Sequence, residues 1–442
     1  MKKLRWLKLD NAAKIYPAAR NRDWTNVYRL SVTFKDEVDP TVLQEALNVT
    51  VKRFPSVAVR LRTGMFWYYL EELPEAPQVL HEEDCSLNRM TFRSIRKCAF
   101  RVLYYRRRMS VDIFHAVTDG NGALVFIKTL AAEYIRRRYG IEVPCEEGVI
   151  DIHEEVPESE LEDSFGRYDS PVSASRKEAD AYRLSGTPEP DRFRHLTTGI
   201  LDADEVKRMA HEYGATVTVF LSAVMMKAIY DLQNQKVRRP NKRKPVRVLI
   251  PVNLRKLFPS NTMRNFALYL TPDIDPRLGE YTFEEMISAI HHRLGLDLNA
   301  KTMAYKFTPN VRNERMKLLR IAPLFLKNAV MKLVYLAVGE RKVSICFSNL
   351  GMVKLPSAMA RYVTRIDFVL GVQASSPCNC GICTYGGRIY INFIRSISES
   401  ELERLFFTTL RKLGLHVYIE SNENTRPKNT RQKGKEERGC TV

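Results

Sequence analysis

One histidine of this sequence, with an aspartate and a glycine shortly after it, is placed as a catalytic group would be. The stretch reads Val111-Asp-Ile-Phe-His115-Ala-Val-Thr-Asp119-Gly120. A strand pattern ends at His115, a short connection holds Asp119 and Gly120, and a helical pattern follows. A strand end can present an imidazole to a cleft, and an imidazole near its ordinary pKa suits general-base catalysis at neutral pH. His115 is therefore the candidate base, and Asp119 can turn back to hold the loop.

The same spacing also has a purely structural interpretation. A histidine followed in this way by Asp and Gly arises by chance in roughly 3% of chains with this many histidines. Most histidines at strand ends are packed or solvated. The spacing alone therefore leaves catalysis and packing both open.

The elements that must position this stretch alternate between strands and helices. Residues 30–34 alternate as a half-buried strand, and Asp39-Pro40 begins a helix that ends before Pro55. A hairpin turns at Thr63-Gly64, and the helix after His115 is expected to end at Gly140. The N-terminal lobe is therefore expected to cover residues 1–145.

A second lobe is predicted beyond an acidic stretch that is rich in Pro and Ser. This stretch, residues 146–190, is the expected linker, and residues 191–420 form the expected C-terminal lobe. There we expect a helix capped by Thr218, a strand over 247–254, a helix after Thr282 and a capping box at Ser398-Ile-Ser-Glu401. The basic tail, residues 421–442, is expected to be disordered because it is polar and almost free of large apolar groups.

Composition and charge narrow the class of protein. Of the 442 residues, 45% are hydrophobic and 27% charged, the balance of a soluble globular protein. No run of about 20 uncharged apolar residues predicts a membrane span, and no secretory signal is visible. We therefore expect a cytoplasmic protein whose eight Cys are reduced thiols. The net charge of +19 favours anionic partners.

Four stretches, taken together and in order, resemble the chloramphenicol acetyltransferase-like superfamily. This group includes nonribosomal peptide condensation domains, plant acyl-CoA-dependent acyltransferases, wax ester synthases and alcohol acetyltransferases. His115-x-x-x-Asp119-Gly120 is similar to its signature. Residues 6–17 (WLKLDNAAKIYP), residues 250–255 (IPVNLR) with Asn265-Phe266, and residues 348–351 (SNLG) are similar to three further elements. The resemblance spans roughly residues 6–420 and is closest to bacterial alcohol acetyltransferase-like proteins.

The resemblance implies an α/β fold of two chloramphenicol acetyltransferase-like lobes, each an α+β sandwich. The lobes would form a pseudo-dimer with an active-site tunnel between them, so one chain would be complete and a monomer is expected. Many relatives carry a second His directly before the catalytic one, where this chain has Phe114. His115 occupies the catalytic position, and Phe114 in place of the preceding histidine argues against a peptide-forming condensation domain.

The resemblance further implies transfer of an acyl group, acetyl above all, from a CoA thioester to an alcohol or amine. His115 would be the general base, with no covalent acyl-enzyme. Asp119 would be structural and held by Arg255, while Ser348 and Asn349 are candidate oxyanion donors that could equally serve a turn. Acyl-CoA would be a co-substrate, with no permanently bound cofactor. The alternatives are condensation that depends on an acyl carrier protein, and a non-catalytic scaffold of the same fold.

Three other patterns have both a functional and a structural interpretation. The basic run with Arg239, Lys242, Arg243 and Lys244 is a landing site for the phosphates of coenzyme A or for an acidic carrier protein, or a solvated loop. Residues 315–338 fit helices lying on an anionic membrane, or core helices that line an acceptor channel.

The third pattern is a cluster of three cysteines, Cys378, Cys380 and Cys383. It has the spacing of part of a zinc site, but no fourth ligand follows, so a Cys-rich turn and no metal are expected. A nucleic-acid partner is not expected either, because no recognised module accompanies the charge.

Overall fold

The computed structural model describes residues 4–19, 26–82, 87, 90–172, 179–190, 193–316, 321–334, 340–372 and 376–423. Helices and strands are numbered here in chain order within those residues. The helices are α1 Ile15–Ala19, α2 Pro40–Arg53, α3 Phe92–Ile95, α4 Gly120–Tyr139, α5 Glu158–Leu161, α6 Ala203–Glu212, α7 Val217–Lys236, α8 Phe283–Asp297, α9 Ala300–Arg315, α10 Leu324–Val334, α11 Ser357–Ala360 and α12 Glu401–Lys412. The strands are β1 Trp6–Lys8, β2 Val27–Phe34, β3 Val59–Thr63, β4 Tyr68–Glu72, β5 Leu80–His81, β6 Phe100–Tyr105, β7 Arg108–Phe114, β8 His195–Asp202, β9 Val246–Asn253, β10 Ala267–Leu270, β11 Asp273–Ile274, β12 Ile345–Met352, β13 Val363–Val369, β14 Cys378–Tyr385, β15 Arg388–Arg395 and β16 Tyr418–Ser421.

Three sheets organise the described residues. A five-stranded sheet has the order β13-β2-β7-β6-β5, and a small sheet has the order β1-β4-β3. An eight-stranded sheet runs β10-β9-β12-β14-β15-β8-β16, with β11 paired to β9. Helix α4 packs on β2 of the five-stranded sheet and α2 packs against α4, while α7 packs between α8 and α12 beside the larger sheet. The fold is thus α/β, with one main sheet from each half of the chain.

Strand β13 joins the two halves. It lies within the range 191–420 that was expected for the C-terminal lobe, yet it pairs with β2, with Phe368 opposite Leu30. The same strand packs against β14 of the larger sheet. A Cβ on Gly381 of β14 would stand 2.5 Å from the carbonyl oxygen of Phe368, so the approach requires glycine there. Strand β13 therefore belongs to both halves of the fold. It lies next to residues 115–120, which we call the signature loop.

One part of the expected acidic linker, residues 158–167, packs against the rest of the fold. It contains α5 and a 3₁₀ turn, Ser164–Arg167. Glu160 accepts two hydrogen bonds from the guanidinium of Arg53, at 2.7 and 2.9 Å. Both side chains are buried, which fixes this part of the linker to helix α2.

Two helix starts differ from the sequence expectation. Helix α7 is capped by Thr216, whose hydroxyl accepts from the backbone of Val219, so Thr218 lies inside the first turn. The expected capping box at Ser398 is wrong, because the N-cap of α12 is Ser400 and makes no side-chain cap bond. Ser398 instead donates to Glu189 at 2.8 Å. The helix expected after Thr282 is present, and Thr282 and Glu285 form a capping box there that the sequence analysis had not singled out.

Among the described residues, no single helix has the length and apolarity needed to cross a membrane. Helices α6 and α7 pass that test only as a pair bent by 80°. The basic tail beyond residue 423 lies outside the described residues.

Candidate active site

His115 lies directly after the last residue of β7, where the central part of the five-stranded sheet ends. Its backbone N–H donates to the carbonyl of Asn26 at 2.8 Å, which pins the residue to the start of the neighbouring strand. The ring of Tyr16 stacks on the imidazole with centroids 4.7 Å apart, and Tyr28 meets it edge-on at 5.0 Å. The residue is half-buried, and the two tyrosine rings fix the orientation of the imidazole.

One ring nitrogen of His115 is engaged by acceptors. Nδ1 lies 3.2 Å from Oδ1 of Asn265, and the backbone carbonyl of His115 itself also bonds to the ring. Because the oxygen of Asn265 is an acceptor, Nδ1 must carry the proton to bond with it. The lone pair of the neutral imidazole is then on Nε2, as a general base requires.

The orientation of the Asn265 amide is set by a buried carboxylate. Asp10 is fully buried, and its Oδ2 accepts from Nδ2 of Asn265 at 3.1 Å and from the Asn265 backbone at 3.3 Å. Its Oδ1 accepts from the backbone of Ala13 at 2.7 Å. Burial raises the pKa of Asp10, whereas the Arg264 guanidinium and these donors lower it. Because Asp10 accepts, the amide nitrogen faces it and the amide oxygen faces His115.

The pKa of His115 is lowered from its ordinary value of 6.5. Burial is the main cause, since it disfavours the charged imidazolium. The bond with the residue's own backbone, the negative charge of Asp119 and the bond with Asn265 act in the opposite direction and are outweighed. The imidazole is therefore neutral, and able to accept a proton, at neutral pH.

Asp119 is a buried structural carboxylate that does not contact the imidazole in the structure. As N-cap of α4 it accepts on Oδ1 from the backbones of Asn121 and Gly122, both at 3.1 Å. On Oδ2 it accepts from Arg255 Nη1 at 2.7 Å and from the Phe266 backbone at 2.8 Å. With both oxygens occupied, Asp119 is suited to holding the loop and not to exchanging protons.

Arg255 joins the signature loop to the C-terminal half of the chain. Besides Asp119, its guanidinium donates to the carbonyls of Thr262 and Arg264 and to Oδ1 of Asn253. Its side chain is largely buried. A planar guanidinium with several donors suits this junction of three backbone segments.

Further contacts join the two halves of the chain around α4, in a contact region that we call the seam. Thr118 Oγ1 donates to the carbonyl of Met263 at 2.5 Å, and Asn253 Nδ2 lies 3.3 Å from Asn121 Oδ1. A Cβ on Gly122 would stand 2.2 Å from Thr118 Oγ1 and 2.3 Å from the Met263 carbonyl oxygen. The backbones of the two halves therefore approach as closely as glycine permits.

A cavity of about 310 Å³ opens beside this seam. Its lining residues include Asn121, Arg255 and Met263, together with Ser159 and Thr262. His115 is not one of them. The cavity thus adjoins the ion pair between Arg255 and Asp119 and not the imidazole.

The two candidate oxyanion donors lie on β12. Ser348 is buried, and its neighbour in the strand pairing is Gly381. The amide nitrogen of Asn349 donates to Thr218 Oγ1 at 3.1 Å, and its oxygen accepts from the backbone of Gly351 at 2.8 Å. Asn349 is therefore engaged in local bonds that hold the strand end.

Strand β12 does come close to the signature loop through its next residue. A Cβ on Gly120 would stand 2.8 Å from Cδ2 of Leu350 and 3.9 Å from Phe368. Gly120 thus allows the end of β12 to lie against the start of α4. The structure brings together His115, Asp119, Gly120 and Arg255, with the strand of Ser348 alongside.

The basic run lies away from this group. Arg239, Lys242 and Lys244 are exposed and Arg243 is half-buried, all before the start of β9. Asn253 ends the same strand beside the signature loop, and at about 3.3 Å per residue the two ends of β9 stand roughly 23 Å apart. Only a long ligand would span from the basic run to His115.

The cysteine cluster is a strand and not the expected turn. Cys378 and Cys380 point into the core of the eight-stranded sheet. Cys383 points to the opposite face, where its thiol donates to the Ile366 carbonyl at 3.0 Å. Burial raises the pKa of all three thiols, so they are unreactive core residues. Within the described ranges no cluster of His, Cys, Asp and Glu fits a metal ion.

Sequence reasoning assigned no role to four residues that surround His115. Asp10 and Tyr16 stand in the N-terminal stretch and Asn265 in the second-lobe element, all of which carried the resemblance. Tyr28 donates to the carbonyls of Thr118 and Asp119 at 2.9 and 3.0 Å. Because Asp10, Tyr16 and Asn265 lie in stretches that carry the resemblance, their positions alone could have marked them as candidate site residues. Nothing in the local pattern marks Tyr28.

The chain was compared with known proteins by sequence and by structure. It matches no protein-family model and no curated protein. Its structure is similar to F. graminearum TRI101 in complex with coenzyme A and deoxynivalenol, with TM-score 0.61, 10% identity, and 95% of this chain and 100% of that chain covered. It is also similar to TRI3 trichothecene 15-O-acetyltransferase from Fusarium sporotrichioides, with TM-score 0.53, 11% identity, and 92% and 93% covered. A third similar structure is the first condensation domain of the calcium-dependent antibiotic synthetase, with TM-score 0.56, 13% identity, and 94% and 99% covered.

These similarities extend over nearly the whole chain. The chain therefore has the fold of condensation domains and chloramphenicol acetyltransferase-like acyltransferases, as the four sequence elements implied.

Proposed function

We propose that the protein is an acyltransferase in which His115 is the general base. The observation that carries this proposal is the state of the imidazole. Nδ1 is held by Asn265, and burial favours the neutral ring. A neutral imidazole with Nε2 free is the form that accepts a proton from an attacking hydroxyl or amine. The fold and the signature loop supply the context.

In this reaction the acceptor attacks the carbonyl carbon of a thioester. Its O–H or N–H proton passes to Nε2 of His115 as the new bond to carbon forms. The tetrahedral intermediate then expels the thiolate, which takes the proton back from the imidazolium. The products are an ester or amide and a free thiol, and no acyl group is attached to the protein. Asp119 and Arg255 hold the loop that carries the base.

The finer proposal is an acetyl donor in the form of acetyl-CoA, an alcohol acceptor, and action in the cytoplasm, where thiols are kept reduced. The similarity to a protein crystallised with coenzyme A supports a CoA donor. The similarity to a condensation domain favours the second candidate, a donor bound to a carrier protein. Donor and acceptor would approach His115 from opposite faces of the seam.

The first test measures thiol release from acetyl-CoA and longer acyl-CoAs with a panel of alcohols and amines. Wild type should release thiol only when an acceptor is present. His115→Ala should lose about 10²- to 10⁴-fold of that rate, the usual contribution of a positioned base. His416→Ala is the matched control, because the His416 side chain is 90% exposed and lies beside Glu205 of helix α6. Equal activity of wild type and His115→Ala would remove the proposed base.

A second arm distinguishes the donors and tests the basic run. Arg239→Ala/Lys242→Ala should raise KM for acetyl-CoA and leave KM for acetyl-pantetheine unchanged, because only the former carries the nucleotide phosphates. Lys207→Ala/Lys412→Ala on other surface positions is the control. An unchanged KM for acetyl-CoA in the first variant assigns the run to the solvated-loop interpretation. Transfer from acyl carrier protein alone supports the carrier-dependent candidate.

A further inference from the structure

Helix α10 turns the polar side chains of Lys327 and Asn328 inward and several of its large apolar side chains outward. Lys327 is 5% exposed, whereas Phe325 is 77% and Leu333 68% exposed. Leu326 and Val330 are also exposed on the outward side. A surface helix of a soluble protein has the reverse arrangement. The outward face of α10 is therefore matched to apolar surroundings.

The inward side chains make specific bonds that hold the helix in this orientation. Lys327 Nζ donates to the Phe66 carbonyl at 2.9 Å and lies 3.6 Å from the centre of the Trp67 ring. Asn328 Nδ2 donates to Tyr68 Oη at 3.0 Å. Rotating the apolar side chains inward would break these bonds, so the exposure of the outer face belongs to the packed fold.

The neighbouring hairpin extends the same surface. The backbone N–H of Leu324 donates to the Met65 carbonyl at 3.1 Å, which places the tip of the β3–β4 hairpin beside the helix. Met65 is 74% exposed. We call the combined surface the apolar docking face, and its exposed side chains are Met65, Ile321, Phe325, Leu326, Val330 and Leu333.

The described residues of this helical segment carry positive charge and no negative charge. Residues 321–334 contain two Lys and no Asp or Glu. Lys332 is exposed among the apolar side chains. Large apolar groups with basic neighbours are the combination by which a helix lies in the interface of an anionic membrane.

Other occupants fit this charge pattern less well. A second copy of the chain, paired about a twofold axis, would bring the two copies of Lys332 together, and residues 321–334 contain no acidic side chain to pair with them. The segment 424–442 has Val442 as its single large aliphatic residue and no aromatic residue, so it lacks the groups to cover the face. An acidic carrier protein would match the charge but would not need so many exposed aliphatic and aromatic groups.

The apolar docking face is one helix away from the candidate base. Helix α10 packs against α1, and Tyr16 of α1 stacks on the His115 ring with centroids 4.7 Å apart. A surface bound at α10 would thus lie next to the element that covers the imidazole.

We propose that the apolar docking face binds the surface of an anionic lipid bilayer and brings His115 to acceptors dissolved in that bilayer. The delivery of acceptors rests on the proposed acyltransferase function, whereas the binding itself does not. The surface binds as it stands, since its apolar side chains are already exposed. An apolar alcohol is the acceptor class that such a surface would supply.

The test is flotation of the full chain with phosphatidylcholine vesicles and with vesicles that also contain phosphatidylglycerol. Wild type should float with the anionic vesicles, and less so at high salt. Phe325→Gln/Leu333→Gln should bind about tenfold more weakly, because binding scales with the apolar area that is buried. The matched control, Leu278→Gln/Tyr418→Gln, removes equally exposed apolar groups elsewhere and should bind as wild type does. All variants should keep the wild-type Tm, since the replaced side chains are exposed.

Three outcomes would overturn the proposal. The first is that wild type stays at the bottom of the gradient with both vesicle types, and the second is that the α10 variant binds as wild type does. The third is a dimer in sedimentation that the α10 variant dissociates, which would assign the face to a second copy. None of these measurements uses turnover, so failure here is distinct from failure of the acyltransferase proposal. If binding is confirmed, vesicles should raise the rate of acyl transfer to long-chain alcohols and leave the rate of transfer to ethanol unchanged.

Discussion

The amide of Asn265 faces two groups at once: its oxygen lies 3.2 Å from Nδ1 of His115, and its nitrogen lies 3.1 Å from the Asp10 carboxylate. This arrangement connects a fully buried acid in the N-terminal stretch to the candidate base through a residue of the C-terminal half. The Asp10 carboxylate fixes which way the Asn265 amide faces, and the amide oxygen in turn fixes the tautomer of the His115 imidazole. Asn265 is thus a positioning residue for His115.

Replacing Asn265 tests this role. Asn265→Ala should lower kcat about tenfold or more, because the imidazole loses the acceptor that fixes its proton on Nδ1. The bond from His115 to Asn265 raises the imidazole pKa, so its loss should shift the acid limb of kcat/KM to lower pH. Asn299→Ala is the control: it removes the cap of α9 and should cost stability without moving the pH profile. A reduced kcat with an unmoved acid limb would make Asn265 merely structural.

The pH dependence of the wild type follows from the direction of the His115 pKa shift. Burial lowers this pKa from 6.5, so the neutral base persists to lower pH than in a solvated histidine. Activity should therefore be constant through neutral pH and fall only when the pH drops below 6.5. The measurement is kcat/KM across a buffer series. An acid limb with its midpoint above 6.5 would contradict the lowered pKa.

The ion pair between Asp119 and Arg255 should be important for stability. Breaking a buried pair costs about 3–5 kcal/mol, because the remaining charge has no partner. Asp119→Ala and Arg255→Ala should each lose an amount of this order in urea unfolding, and the double variant should lose less than the sum. Asp275→Ala is the control, since its partner Arg277 is 47% exposed and solvent screens such a pair, so that its loss should leave the stability almost unchanged. Full additivity would mean that the two residues act independently.

Gly122 is predicted to be irreplaceable by alanine. The added Cβ would lie 2.3 Å from the Met263 carbonyl oxygen, which is backbone and cannot rotate away. Gly122→Ala should therefore push the two halves apart, at a cost of about 1–3 kcal/mol for overpacking, and lower activity with it. Gly166→Ala provides the comparison, because no atom lies within 4 Å of its added Cβ. Equal stability of both variants would show that the seam is loose.

The sequence was sufficient for features that depend on neighbouring residues. Asp39 caps α2, Gly140 ends α4 with a positive φ of 64°, and the strand that ends before His115 is where its alternation predicts it. Such features follow from local backbone geometry and from the period of apolar residues. The fold itself was identified from four short stretches together, and the comparison of structures agrees with that identification.

The tertiary structure decided which distant residues meet. Nothing local shows that Asp10 supports an amide 255 positions away, or that β13 pairs with β2 of the other half. The inward turn of Lys327 also depends on the Phe66 carbonyl and the Trp67 ring, which lie far away in sequence. The physical reason is that periodicity tells which side chains share a face of an element. Which other element that face packs against is decided only when the whole chain is folded.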